Sequence, residues 1–433
     1  MTSCNNFKKY KTLSLLSVCL SSIRVFLGPI TLLVLAKNLS TEELGFYYAF
    51  FSLTAMAQLL EVGMSSVLKQ YYSHSYAIHD ISEKNIKISN YFNFSIYWYL
   101  ILSILFFILG GGVSYVMFND YNGIVNWKLP WFFLLFVSCT NLLVLPLNAM
   151  LDGTQRQQLL MKANIVSQLM IAISLWLTIY LGLGLYSLGL SQLVGILFFL
   201  LSVFIFNKCR FQFIEIHKKN FSFKTVFNEL WPLLKKTSIV WFLGYFYWNG
   251  FNIISFKYLG AEIAGFVGMS MSIMRAGQNI AISILNSQMT LYASNIAMGK
   301  IDEARRVFKK YFIISFLLLI SGYSIFYIFY YVKPDFFLFK KVLPLEQMIY
   351  VSIFFAFTFI ISGTETFIRC FKVEKFVITQ TINSILTPFL FVLGLNLHYQ
   401  YFCLPIISVM IVSILTLYIS RRFYTGYSNA KNT

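Results

Sequence analysis

Charge is scarce in this sequence, and acidic charge scarcest. Asp, Glu, Lys and Arg make up 12% of its 433 residues, and only 16 of them are acidic; a soluble domain carries about a quarter charged residues. Together with 58% hydrophobic residues and 19% aromatics, and a mean hydropathy of +0.70, that deficit excludes a soluble fold. Disorder is excluded too, because it needs low hydrophobicity and few aromatics. Cysteine is sparse and scattered: Cys4, Cys19, Cys139, Cys209, Cys370 and Cys403 form no C-x-x-C and no Cys/His cluster. Neither a disulfide framework nor a metal site is indicated, and the cysteines read as small buried hydrophobes. No G-x-x-x-x-G-K-[ST] occurs, so the chain carries no P-loop ATPase of its own and no cofactor signature.

What is present is a succession of long apolar runs. A helix needs about 20 apolar residues to cross a hydrocarbon core of about 30 Å. Twelve segments qualify, at 12–36, 44–68, 91–118, 130–151, 159–181, 186–206, 232–255, 263–288, 311–331, 346–370, 377–394 and 401–420. The first follows Lys8, Lys9 and Lys11 and is too long for a cleaved signal peptide, so it is expected to remain as a span. The fold class is therefore an all-α integral membrane protein. With the N-terminus inside, 22 of the 34 Lys and Arg fall in cytoplasmic segments, six on the opposite side and six within spans. That asymmetry places both termini in the cytoplasm. The net charge of +18 is thus mainly a topology signal rather than a nucleic-acid footprint, with the basic stretch from Lys208 to Lys224 suited to anionic membrane lipid. The exported loops are short, the longest running from Val332 to Pro344, which leaves no room for an external catalytic domain; the chain is not expected to be an enzyme.

The chain repeats itself at an offset of 220. Leu39/Leu259, Glu42/Glu262, Gly45/Gly265, Phe46/Phe266, Ser52/Ser272, Gln58/Gln278, Tyr72/Tyr292, Ala77/Ala297, Ile81/Ile301, Glu83/Glu303, Tyr91/Tyr311, Phe92/Phe312 and Ser95/Ser315 are 13 identities over 57 ungapped positions. The repeat predicts a six-helix bundle over 1–206, a basic cytoplasmic linker over 207–231 and a second six-helix bundle over 232–433. Six spans per half relate the halves by an axis along the membrane normal, around a central cavity.

Polar residues recur at helical spacing inside three spans. Ser17, Ser21, Arg24, Gly28 and Thr31 share a face of the first, Thr54, Gln58, Glu61 and Ser65 of the second, and Gly268, Ser272, Arg275, Asn279, Ser283 and Asn286 of the eighth. Lipid cannot satisfy such faces, so they are expected to line a water-filled cavity. Arg24 and Arg275 lie mid-span, where a charge costs at least about 2.5 kcal/mol. Either the two guanidiniums bind a diphosphate, for which arginine has bidentate geometry, or Arg24 braces Glu61 structurally. Glu61 is either that counter-ion or a protonatable coupling carboxylate. Glu365 and Arg369, four apart, form an intrahelical pair or a coupling site. Trp241, Tyr245, Asn249 and their neighbours Phe242, Phe246, Tyr247, Trp248 and Asn252 are either an aromatic and amide surface for sugars or a chance cluster in an aromatic-rich chain. Gly28-Pro29 breaks a backbone hydrogen bond one turn after Arg24 and predicts a kink that can act as a hinge.

Arg24 with Leu27-Gly28-Pro29, the loop Leu39-Ser40-Thr41-Glu42-Glu43-Leu44-Gly45, and Leu60-Glu61-Val62-Gly63-Met64 resemble the first two helices of bacterial polysaccharide flippases. These are the O-antigen transporters of the multidrug/oligosaccharidyl-lipid/polysaccharide exporter superfamily, which also holds the lipid II flippases. Leu259-Gly260-Ala261-Glu262 with Gly265, and Ile301-Asp302-Glu303, resemble the second-half counterparts. The resemblance implies translocation of an undecaprenyl-diphosphate-linked oligosaccharide across the bacterial inner membrane by alternating access. It implies a polysaccharide polymerase and a chain-length regulator as partners, and assigns substrate contacts to Arg24 and Arg275. A cation-coupled multidrug exporter of the same superfamily is the alternative.

Overall fold

The computed structural model describes residues 2–206, 221–371, 373, 375–396 and 401–432. Side chains are excluded at 2–15, 17, 18, 21, 24, 236, 237, 239–241, 243, 290 and 425–432. Fourteen helices account for nearly all of the described chain, and no strand occurs in it. In order they are α1 Thr2–Asn38, α2 Thr41–Thr54, α3 Met56–Glu61, α4 Met64–Tyr76, α5 Ile81–Phe118, α6 Lys128–Gly153, α7 Gln157–Tyr180, α8 Tyr186–Phe206, α9 Phe223–Ser287, α10 Met289–Ala297, α11 Ile301–Val332, α12 Leu345–Arg369, α13 Val377–Asn396 and α14 Cys403–Asn432. Every one of the twelve expected spans lies on these helices. By length and apolarity among the described residues, eight helices qualify outright as membrane spans, and the bent pair Thr41–Glu61 and Met64–Tyr76 makes a ninth. The all-helical membrane fold is as the hydropathy predicts.

Two junctions differ from the expectation. The second span is not one rod but is bent by 45°. Val62 (φ 49°) and Gly63 (φ 81°) both take the left-handed conformation there. The seventh and eighth spans share one long helical stretch, α9, interrupted by Gly260 (φ 83°, ψ 174°). A single glycine thus replaces the loop expected between 255 and 263. Of the linker expected at 207–231, residues 207–220 lie outside the described residues, and 223–231 form the opening turns of α9.

The repeat is visible in where helices begin. α2 starts at Thr41 and the second half of α9 follows Gly260; α5 starts at Ile81 and α11 at Ile301. Both starts keep the offset of 220. Tyr72 and Tyr292, related by the same offset, are both fully buried, as are Ser95 and Ser315.

The chain divides into two compact units, Met1–Leu39 with Phe46–Tyr245, and Ser40–Gly45 with Phe246–Thr433. In the first, α7 packs along α8 and α1, α5 along α6, and α6 against α4 and α8. Its core is aromatic: the rings of Phe46, Phe50, Phe118 and Trp131 interlock at centroid distances of 5.0–6.5 Å. An aromatic ladder of Phe94, Trp98, Phe223, Phe227 and Trp231 fastens the start of α9 to α5. In the second unit, α14 packs against α12 and α13, around Phe251, Phe354, Phe391 and Phe402. Stacked and edge-to-face aromatic pairs add about 0.5–1.5 kcal/mol each beyond area burial.

The first turn of α2 lies within the second unit. Ser40 caps it reciprocally: its Oγ accepts the Glu43 N–H at 3.1 Å, and Glu43 Oε2 accepts the Ser40 N–H at 2.8 Å. Lys341, in the turn before α12, is near Glu43 and Glu262; burial lowers its ammonium and the two carboxylates raise it again.

Candidate functional site

The polar stripe of α9 sits beside, not within, its buried face. Val267, Met271, Met274, Gln278, Ala281 and Leu285 are the buried row. Arg275, one position round the helix, is partly buried, and Asn279 is exposed. Because α9 reverses at Gly260, Arg275 meets the residue on the other arm of the same hairpin. Its Nη2 donates to the Trp248 carbonyl at 3.2 Å, and its guanidinium carbon is 4.9 Å from the centre of the Trp248 ring. The Phe355 ring of α12 is 5.9 Å away on the same guanidinium. Aromatic faces attract a cation and lower the cost of holding it away from bulk water, so the protein presents a permanent positive charge in mid-span. The hydroxyl of Tyr247, next to Trp248 in sequence, is buried 3.2 Å from Thr358 Oγ1.

Glu61 occupies the break in the second span and is buried. Its Oε1 accepts the Ser65 N–H at 2.7 Å and the Tyr99 hydroxyl at 2.6 Å. Ser65 lies in the first turn of α4, where backbone N–H groups lack helical partners and the dipole favours negative charge. The carboxylate therefore caps the helix that the break begins. Val62, a β-branched residue in left-handed conformation, stores about 1–3 kcal/mol of strain at this point. The two hydrogen bonds to Glu61 offset part of it. Gln58, one turn earlier, is exposed.

Glu365 is the second buried carboxylate. Its Oε2 accepts Gln380 Nε2 at 2.7 Å and lies 3.7 Å from Arg369 Nη2, the pair expected from their spacing.

The remaining candidates are dispersed. Tyr245 is buried in the first unit and donates to the Ser52 carbonyl at 3.0 Å, so its hydroxyl is engaged by backbone. Asn249 is partly buried. Phe242, Phe246 and Trp248 are the exposed aromatics of that stretch. The side chains of Arg24 and Trp241 lie outside the described residues. α1 is a continuous helix through Gly28 and Pro29. Just beyond, Trp176 Nε1 of α7 donates to Thr31 Oγ1 at 3.0 Å, pinning the segment after Pro29.

Solved structures follow this chain almost end to end. An inward-facing multidrug resistance MATE family transporter of the MOP superfamily matches at a TM-score of 0.70 over 94% of this chain and 96% of its own, with 13% identity. The lipid II flippase MurJ in an inward closed conformation matches at 0.62 over 95% and 87%, with 17% identity. The chain shares the fold of these transporters. A MATE structure in the bent conformation matches at 0.57 over 98% and 97%, with 14% identity. No protein-family model and no curated relative matches the sequence, so the likeness lies in three dimensions. Three partners of these candidate residues escaped sequence reasoning: Trp248 as the platform of Arg275, Tyr99 as the donor to Glu61, and Gln380 as the donor to Glu365. Trp248 carried a signal, being the aromatic beside Asn249; Tyr99 and Gln380 carried none that distinguishes them from other polar residues near span ends.

Proposed function

We propose that this chain is a flippase, not an enzyme, which moves an undecaprenyl-diphosphate-linked oligosaccharide from the cytoplasmic to the periplasmic leaflet of a bacterial inner membrane by alternating access. The substrate would be an O-antigen or capsule repeat unit. The observation that carries this reading is the mid-span guanidinium of Arg275 held on Trp248 and Phe355, a cation preorganised for an anionic headgroup. Arg24 would supply the matching charge from the first half, with Gln58, Asn279, Trp241 and Asn249 as further substrate contacts; Tyr245, expected among them, is instead committed to the Ser52 carbonyl. The MOP fold, shared by a lipid II flippase, supports transport of a lipid-linked cargo. A polysaccharide polymerase and a chain-length regulator would act on the exported product.

The buried carboxylates Glu61 and Glu365 favour a second reading, a cation-coupled multidrug exporter, as does the shared fold of MATE transporters. Complementation separates the two. In a flippase-null strain the chain should restore surface polysaccharide without raising resistance to cationic dyes; resistance without polysaccharide would establish the exporter instead. The orientation is tested by cysteine labelling in intact cells: Asn122 and Asp335 positions should label from outside, and Lys218 and Asp302 positions only after permeabilisation.

A further inference from the structure

A cleft of about 670 Å³ opens in the first unit where the end of α4, the start of α5 and the start of α9 meet. It belongs to none of the sites above. Its polar lining includes Gln70, Tyr71, His74, Lys87, Tyr91 and Glu229, and Ile78 and Leu233 add an apolar patch. Glu229 organises it. The Tyr91 hydroxyl donates to Glu229 Oε1 at 2.6 Å and the Tyr71 hydroxyl to the Glu229 carbonyl at 2.8 Å. These bonds join residues 138 and 158 positions apart in sequence, and they fix the carboxylate in place. The two tyrosine rings meet edge to face at 5.7 Å.

The charged residues of the lining are already engaged, Glu229 by the Tyr91 hydroxyl and Lys87 by a carboxylate. Lys87 pairs with Glu83 at 2.9 Å, and Lys69 nearby pairs with Asp152. A phosphate would have to displace the Glu83 carboxylate from Lys87, and an organic cation would compete with the Tyr91 hydroxyl for Glu229 Oε1. A carboxylate, an amide and an imidazole, each planar with paired hydrogen-bonding atoms, suit vicinal hydroxyls. The apolar patch suits the C–H face of a sugar ring.

We infer that this cleft is a binding site for a neutral saccharide. It rests on the flippase reading for its role: by the positive-inside orientation the cleft faces the cytoplasm, where it holds the glycan of the lipid-linked substrate before entry. Saturation-transfer difference NMR on the purified full chain tests it, with free N-acetylglucosamine and galactose as probes. At least one sugar should receive saturation in the wild type and lose most of it in both Glu229→Ala and Gln70→Ala. Glu303→Ala, in the second unit and paired there with Lys300, should keep it. Displacement of the sugar by inorganic phosphate, saturation of tetraethylammonium in its place, or sugar signals unaltered by both lining substitutions would each overturn the assignment. Export in the null strain reads the flippase role separately: sugar contact without export retains the cleft and sinks that role, and export without sugar contact does the reverse.

Discussion

Gly45 and Gly265 stand against each other's helix. A Cβ on Gly45 would run into the Ala261 carbonyl, and one on Gly265 would run into the Thr41 carbonyl and come within 3.0 Å of the Gly45 nitrogen. Residues 41 and 261 are themselves related by the offset of 220, so the contact is reciprocal: each half of the repeat places its glycine on the other half's first helical residue. Close backbone approach of this kind is a known use of small residues in membranes.

Gly45→Ala and Gly265→Ala should therefore each lower the thermal stability of the purified protein, because backbone rather than a movable side-chain tip must give way. Overpacking typically costs about 1–3 kcal/mol. The check is a melting curve followed by fluorescence-detected size exclusion, with Gly28→Ala as the comparison, since a Cβ there meets nothing within 4 Å. Equal melting of all three variants would show that the crossing yields easily.

The bonds to Glu61 make a different prediction. Tyr99→Phe removes one donor from a buried carboxylate and should cost about 1–3 kcal/mol of stability. Arg24→Ala should leave folded abundance near normal, because Glu61 keeps the Ser65 N–H and the Tyr99 hydroxyl. An immunoblot in which Arg24→Ala loses protein, and Arg24→Ala with Glu61→Ala regains it, would instead make Arg24 a structural brace of Glu61.

The course of the helices was legible because a bilayer imposes about 20 apolar residues on every crossing, and the repeat was legible because Gly45, Glu42 and Ile81 recur in register with their partners. The break at Val62-Gly63 was not. Its sequence, Leu60 to Met64, is compatible with a helix, and Tyr99, which donates to the Glu61 carboxyl at the break, is 38 residues away. The platform of Arg275 was hidden for a related reason: Trp248 reaches it only because the chain reverses at Gly260. Tyr245 shows the limit of composition, since an aromatic run does not reveal which ring turns inward onto the Ser52 carbonyl.

Gly28 and Pro29 give a test in which stability and transport part company. Pro29→Ala restores a backbone donor to the Val25 carbonyl, and Gly28→Ala adds a helix former worth about 1 kcal/mol. If this segment of α1 flexes during transport, both substitutions should preserve or raise the melting temperature while lowering the export rate. Unchanged export with a raised melting temperature would mean that α1 moves as a rigid rod.

Arg275 is where the proposed function is most exposed to experiment. As a diphosphate ligand its guanidinium is needed in the transported state and not for folding, so Arg275→Ala should abolish surface polysaccharide at near-normal protein abundance. Arg275→Lys should rescue partly, because an ammonium keeps the charge but loses the planar fork. Trp248→Ala leaves Arg275 its charge and removes one face of its platform. A cation–π contact is worth about 0.5–2 kcal/mol, which sets the expected loss at a several-fold slower export, with Trp248→Phe closer to wild type. A packing role for the same residues predicts another pattern: Arg275→Ala would then deplete folded protein, Arg275→Lys would do no better, and polysaccharide would track abundance in every variant. Quantifying both in the null strain, with export expressed per molecule of folded protein, decides which pattern the pair of residues obeys.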